Sequence, residues 1–143
     1  MATYQFVSAT DRAEVEPHLD RARDALRAAE LLAGEGLAHD AVSRAHQSTV
    51  HAQRTLLATE KRNPTSSRSV QRLALAHYIR NEQVDAAFED RLEWLAMQRT
   101  RADDQPLLTV SDDELNDSLD LARSFLAAVE DYLDRAGYAA ESE

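Results

Sequence analysis

The stretch Gly36–Ala58, GLAHDAVSRAHQSTVHAQRTLLA, decides how the rest of the chain must fold. Ala38, Ala41, Ala45, Thr49, Ala52 and Leu56 recur in steps of three or four. That spacing keeps them on one face of a helix, and most are small enough for a second backbone to come close. Leu37, Val42, Val50 and Leu57 widen the stripe. Between them stand Arg44, His46, Gln47, His51 and Gln53, polar groups unusual so near an apolar face. The pattern predicts the second helix of a bundle, with partners on more than one side.

Upstream, Leu19, Ala22, Leu26, Ala29 and Ala33 form a second helical stripe. This helix is expected to begin between Asp11 and Pro17, with Pro17 tolerated in the first turn. Gly34 is expected to end it, because Gly reaches left-handed dihedrals cheaply. Glu35-Gly36 then makes a tight antiparallel connection. Residues 1–10, with Tyr4, Phe6 and Val7, read as an arm.

Downstream, the second helix should run to about Glu60, and Asn63-Pro64-Thr65-Ser66-Ser67 should break it. A third helix capped by Ser66 or Ser67 follows, with Val70, Leu73 and His77 on one face. A fourth spans Val84 to Ala102, with Val84, Phe88, Leu92 and Leu95 inward. Ser111-Asp112-Asp113-Glu114 fits a capping box for a fifth. Leu115, Leu119, Ala122, Leu126, Val129 and Leu133 form its stripe, Gly137 stops it, and residues 138–143 read as a flexible tail. No alternating segment competes as a strand. The expected fold is an all-α, five-helix up-and-down bundle, one domain over residues 11–137.

The 143 residues suffice for one core, and 3 Gly with 3 Pro leave little for long loops. The lack of Cys removes disulfides and thiolate metal sites, and fits a reducing cytoplasm. No apolar run approaches a membrane span and nothing near the start reads as a signal peptide. His46 and His51 are five apart rather than four, so no helical zinc pair forms and no metal or other cofactor is expected. The net charge of −10 disfavours a general nucleic-acid binder. One segment departs from it: Lys61–Asn81 contains no Asp or Glu but holds Lys61, Arg62, Arg68, Arg72 and Arg80. Such asymmetry suits phosphate or an acidic partner, or simply a solvated face.

The run Arg21–Ala58 resembles the opening of HEPN domains (higher eukaryote and prokaryote nucleotide-binding), of the kind often paired with minimal nucleotidyltransferases. Ala25–Leu32, Gly36-Leu37, Ala41-Val42-Ser43-Arg44-Ala45 and His51-Ala52 carry the likeness. Phe88-Glu89-Asp90-Arg91 and Arg99-Thr100-Arg101-Ala102-Asp103 resemble the family's later helix. The resemblance covers about residues 20–135. It implies a homodimer in a bacterial toxin–antitoxin or defence-type module, with a nucleotidyltransferase antitoxin as partner and RNA as target.

Active members of that family are metal-independent ribonucleases, and their motif is an Arg followed, after four to six residues, by a His. A His can move the 2′-hydroxyl proton, and an Arg can hold the phosphate and its developing charge. Here Arg99 is present but no His follows it, and Asp104 replaces the family's aromatic. Arg72 and His77, followed by Tyr78, match the motif literally, but on the third helix, where five residues put them roughly 140° apart. The catalytic candidates, if the chain is active, are therefore Arg99, Arg72 and His77. Arg44, His46, Lys61, Arg62, Arg68, Arg101 and Asp103 are candidates for contact with RNA or a partner. Three readings stand: a dimeric binding or regulatory module with a degenerate motif, an endoribonuclease acting across a dimer, and a helical interaction protein of another kind.

Overall fold

A computed structural model describes residues 9–105 and 107–138. The expected arm and tail fall almost wholly outside these residues. The described chain is an all-helical bundle: α1 (Ala9–Gly34), α2 (Ala38–Ala58), α3 (Ser67–Ala74, continued by a wider turn over Leu75–Ile79), α4 (Phe88–Asp104) and α5 (Asp112–Arg135). No strand occurs among the described residues.

α2 lies at the centre and packs against α1, α3, α4 and α5. Ala41, Ala45, Ala52, Leu56 and Leu57 are fully buried, so the small-residue face does what its spacing predicts. The helix is enclosed nearly all round, because Ser48, Thr49, Gln53 and Thr55 are buried as well. Except for Gln53 Oε1, their polar atoms are satisfied locally or across the seam. Ser48 Oγ donates to the Ala22 carbonyl at 2.8 Å. Thr49 Oγ1 donates to His46 O, Thr55 Oγ1 to His51 O and Gln53 Nε2 to Thr49 O. Short hydroxyl side chains that bond their own helix let a neighbour approach without leaving a stranded donor. The stripe left open is Ser43, Arg44, Gln47, His51 and Arg54.

The helix ends are set by sequence in three places as expected. Ser66 accepts from Ser69 N–H, and Ser111 with Glu114 forms a complete capping box. Gly137, at φ +88°, closes α5: its N–H donates to Asp134 O, and Tyr138 N–H donates to Leu133 O.

Other boundaries differ from the sequence reading. α1 starts at Ala9, so Pro17 sits inside the helix rather than in its first turn. It faces solvent, where the carbonyl its ring cannot bond is reachable by water. α1 does end at Gly34, as expected, but the left-handed cap is made by Gly36, at φ +79°, with Leu37 N–H donating to Leu32 O. α2 accordingly begins two residues later than Gly36 and ends at Ala58. Its exit uses Lys61 at φ +59°, a non-Gly residue in left-handed space. α4 starts at Phe88, not Val84, because Asp85 Oδ1 accepts from Ala87 N–H and holds a turn there. Val84 is still buried, as part of that turn.

α3 departs most. Arg80 N–H donates to Leu75 O at 2.8 Å, an i to i−5 bond that widens the helix. The extra residue rotates the later side chains. Val70, Ala74, Leu75, Tyr78 and Ile79 face the core, and Leu73 and His77 are only half-buried. His77 is thus partly buried, as expected, alongside Leu73 rather than in the core with Val70. Two edge-to-face ring pairs lock the bundle: Phe88 on Phe125 at 5.2 Å and Tyr78 on Tyr132 at 5.6 Å between centroids.

The two glycines of the first connection give a direct check. A Cβ at either would meet no atom within 4 Å. Gly34→Ala should stabilise the protein by about 0.5–1 kcal/mol, since Gly is entropically costly in a helix. Gly36→Ala should cost about 1–2 kcal/mol, because its positive φ disfavours any side chain. Urea unfolding of the two variants measures the difference.

Candidate functional site

One hollow opens along the exposed stripe of α2 and a second beside it between α3 and α4, and the two share His46, Ser67 and Arg99. The first, about 720 Å³, runs over Arg44, Gln47, His51 and Arg54. The second, about 460 Å³, lies between the start of α3 and α4 and is lined by Arg68, Arg72, Arg80 and Glu93. Together they form one groove, with α2 as its floor and the end of α4 crossing its middle.

The groove is cationic in a protein of net charge −10. Arg44, Arg54, Arg68, Arg72, Arg80 and Arg99 line it, against the carboxylates Asp40 and Glu93. Several are held in place. Arg54 donates to the carbonyls of Pro64 and Thr65 at 2.6 and 3.1 Å. Arg99 pairs with Asp103 at 2.9 Å one turn on, and Arg80 pairs with Glu89 at 3.0 Å. Arg44 donates to Gln47. Arg68 and Arg72 have no ion-pair partner among the described residues.

His46 sits beneath the crossing point, 8 % exposed. Burial, reinforced by the nearby Arg99 guanidinium and only partly offset by Asp103, lowers its pKa to about 4. It is therefore neutral at physiological pH and a weak proton acceptor.

The structure thus gathers Arg44, His46, Arg68, Arg72 and Arg99, five of the residues singled out in the sequence, with Asp103 beside Arg99. It does not gather the others. Arg101 turns to Glu114 of α5 at 3.8 Å. Lys61 faces Asp11 and Arg62 faces Glu60. Arg72 lines the second hollow, but His77 does not, and its backbone carbonyl instead accepts from Asn81. Arg54 was not singled out. The signal for it was the 3–4–3 spacing of Arg44, Gln47, His51 and Arg54, a polar stripe on an otherwise apolar helix.

The same end of the bundle is tied to α5 through polar contacts. His39 of α2 bonds the Leu108 carbonyl at 2.6 Å, in the connection before α5. With its amide turned so that donors meet acceptors, the buried Gln98 accepts from Trp94 Nε1 and donates to Glu114. Trp94 is therefore partly engaged within the bundle. No group of His, Asp or Glu among the described residues has the geometry of a metal site. No described helix is long and apolar enough to cross a membrane.

The family profile of the HEPN domain matches residues 15–132, which takes in α2, the groove and α4. The chain belongs to the HEPN family. No curated protein matches it beyond that. Arg99 lies in the last turns of α4, and its guanidinium acts on the imidazole of His46, from α2.

The neutral His46 carries a pH signature. Its native pKa lies below its unfolded value, so the unfolded chain binds the proton more tightly between about pH 6.5 and 4. The stabilisation is intact above pH 6.5 and is lost progressively as pH falls towards 4. Between pH 7.5 and 4.5 this one group should remove about 2–3 kcal/mol. His46→Gln should lose correspondingly less over that interval in urea unfolding, and NMR should show the His46 ring still neutral at pH 5.

Proposed function

We propose that this HEPN-family protein is a dimeric binding component of a toxin–antitoxin or defence-type module, and that its groove along α2 holds single-stranded RNA without cleaving it. The observation that carries this reading is the groove itself: six arginines around the open, polar stripe of α2 in an otherwise acidic molecule. Arginine forks suit phosphate oxygens, and the spacing along the groove gives several contacts in a row.

Binding is favoured over cleavage on chemical grounds. A general acid or base works best with a pKa near the working pH. His46, lowered to about 4, is too weak a base to draw a 2′-hydroxyl proton well, and carries no proton to give a leaving oxygen at pH 7. His77, the other candidate, lies outside both hollows. The competing endoribonuclease reading is supported by one feature, the placement of His46 beside Arg99.

Dimerisation is supported by Met97, which is 64 % exposed on α4. Large apolar side chains left out on a helix suit an interface, and methionine adapts to a partner surface. A nucleotidyltransferase partner remains part of this proposal through family likeness alone.

Fluorescence anisotropy with single-stranded RNA tests the reading. Wild type should bind, and Arg99→Ala and Arg72→Ala should each weaken binding several-fold and reduce the salt slope by about 0.7. No RNA should be cut in excess EDTA. Cleavage that disappears in Arg99→Ala or His46→Ala would move the protein to the endoribonuclease class. Sedimentation velocity should show a dimer, shifted towards monomer by Met97→Asp.

A further inference from the structure

On its α1 side the first hollow borders a cluster of basic groups, of which the RNA-binding reading uses only Arg54. The Ser48–Ala22 bond sets the antiparallel register of α1 and α2. One turn further, His18 and Arg21 of α1 come level with His51 and Arg54 of α2. The groups act on one another: Arg54 on His18, and Arg21, Arg54 and His18 on His51. Burial first, and then these charges, hold both imidazoles below their ordinary pKa.

The cluster is built rather than incidental. Arg54 is anchored by its two carbonyl bonds and cannot swing away. His51 Nδ1 is enclosed and makes no hydrogen bond among the described residues. His51 also lies between two spaces. It lines the main groove with Arg54, and a smaller hollow of about 230 Å³ in the α1–α2 seam with Arg21, Asp24 and Arg44. Asp24 is the one carboxylate lining that seam hollow. Two imidazoles and two guanidiniums gathered on one side of an acidic molecule have unmet demand for negative charge.

We propose that His18, Arg21, His51 and Arg54 form a phosphate-end subsite, which takes the terminal phosphate monoester of a nucleotide chain lying in the groove. The proposal rests on the RNA-binding reading for the chain but not for the phosphate. A monoester differs from the diesters of the backbone in carrying close to two charges at pH 7 and three acceptor oxygens. Two guanidiniums and two imidazoles, each able to donate, match that demand better than they match a diester. Arg21 and Arg54 supply fixed charge. The histidines take up protons as the dianion arrives, so the repulsion between the four groups is relieved by the ligand. The charged groups facing these imidazoles are Arg21 and Asp24 from α1, and Arg44 and Arg54 from α2.

Inorganic phosphate is the first probe, added to the full chain, with imidazole resonances followed by NMR across pH. In phosphate, the proton affinities of His18 and His51 should rise about tenfold, in wild type and in Arg99→Ala alike. His39 and His77 should not move. Arg21→Ala should abolish the response while the spectrum stays that of a folded protein. Unchanged histidines in phosphate overturn the proposal, as does an equal rise in chloride at matched ionic strength, which would mean an adventitious ion only. The second probe is a set of RNA oligonucleotides bearing a 5′-phosphate, a 3′-phosphate or hydroxyl ends. Wild type should prefer one phosphorylated end at least fivefold, and the preferred end identifies the source. Arg21→Ala should collapse that ratio, whereas Arg99→Ala should weaken all oligonucleotides and keep it. Histidines that respond to phosphate in a protein that binds no oligonucleotide would leave the subsite standing and remove the RNA reading. Oligonucleotides bound with no preference would remove the subsite and keep the groove.

Discussion

The enclosure of α2 is the constraint from which the other features follow. A helix covered by four neighbours must present small side chains where backbones approach, and Ala41, Ala45 and Ala52 do so. Any polar side chain on those faces must satisfy itself within the helix or across one seam, as Ser48, Thr49 and Thr55 do. Gln53 is the exception: its Oε1 is buried without a hydrogen bond among the described residues, a group whose burial costs about 1–3 kcal/mol. Four neighbours around one helix leave room for a single open stripe. Arg44, Gln47, His51 and Arg54 occupy it, so the groove is the gap in the packing, and the packing fixes its floor.

How much of this the sequence disclosed depends on whether the signal was local. The α2 face, the Ser66 and Ser111 caps and the Gly137 stop are written in consecutive residues, and each was readable. The choice between Gly34 and Gly36 was not, since both residues suit a left-handed cap and only the closure of α1 onto α2 selects the second. The wider turn at Leu75–Ile79 has no composition signal at all. It follows from the need to bury Tyr78 and Ile79 together, with Tyr78 Oη donating to Glu60 and sharing a hydrogen bond with Thr59. At the site, residue type was legible and assembly was not. Arg99 and His46 are 53 positions apart in the chain, so no spacing rule could join them.

Net charge also misleads when read as one number. The acidic residues sit heavily on α5 and the start of α4, as in Asp112, Asp113, Asp117, Asp120, Glu89 and Asp90, while arginines crowd the α2–α3 side. Such separation gives a field that repels polyanions from one side and draws them to the other. An acidic protein can therefore carry a phosphate groove, provided that the low-dielectric wall of the bundle keeps the two faces from screening each other.

The tethering of the arginines bears on what the groove does well. A guanidinium already paired with a carboxylate, as Arg99 is with Asp103 and Arg80 with Glu89, must trade that partner for a phosphate. The trade gains little energy, but it fixes the fork in position before the ligand arrives, which lowers the ordering cost of binding. Arg54, bonded to two backbone carbonyls, is fixed without neutralisation and keeps its full charge for an anion. Arg68 and Arg72 carry full charge on freer stems. The groove therefore contains rigid cations at its crossing point and at its α1 side, with adaptable ones along α3. That distribution suits a flexible chain held at defined points better than a single rigid small molecule, and it needs no proton transfer from a histidine that burial has kept neutral.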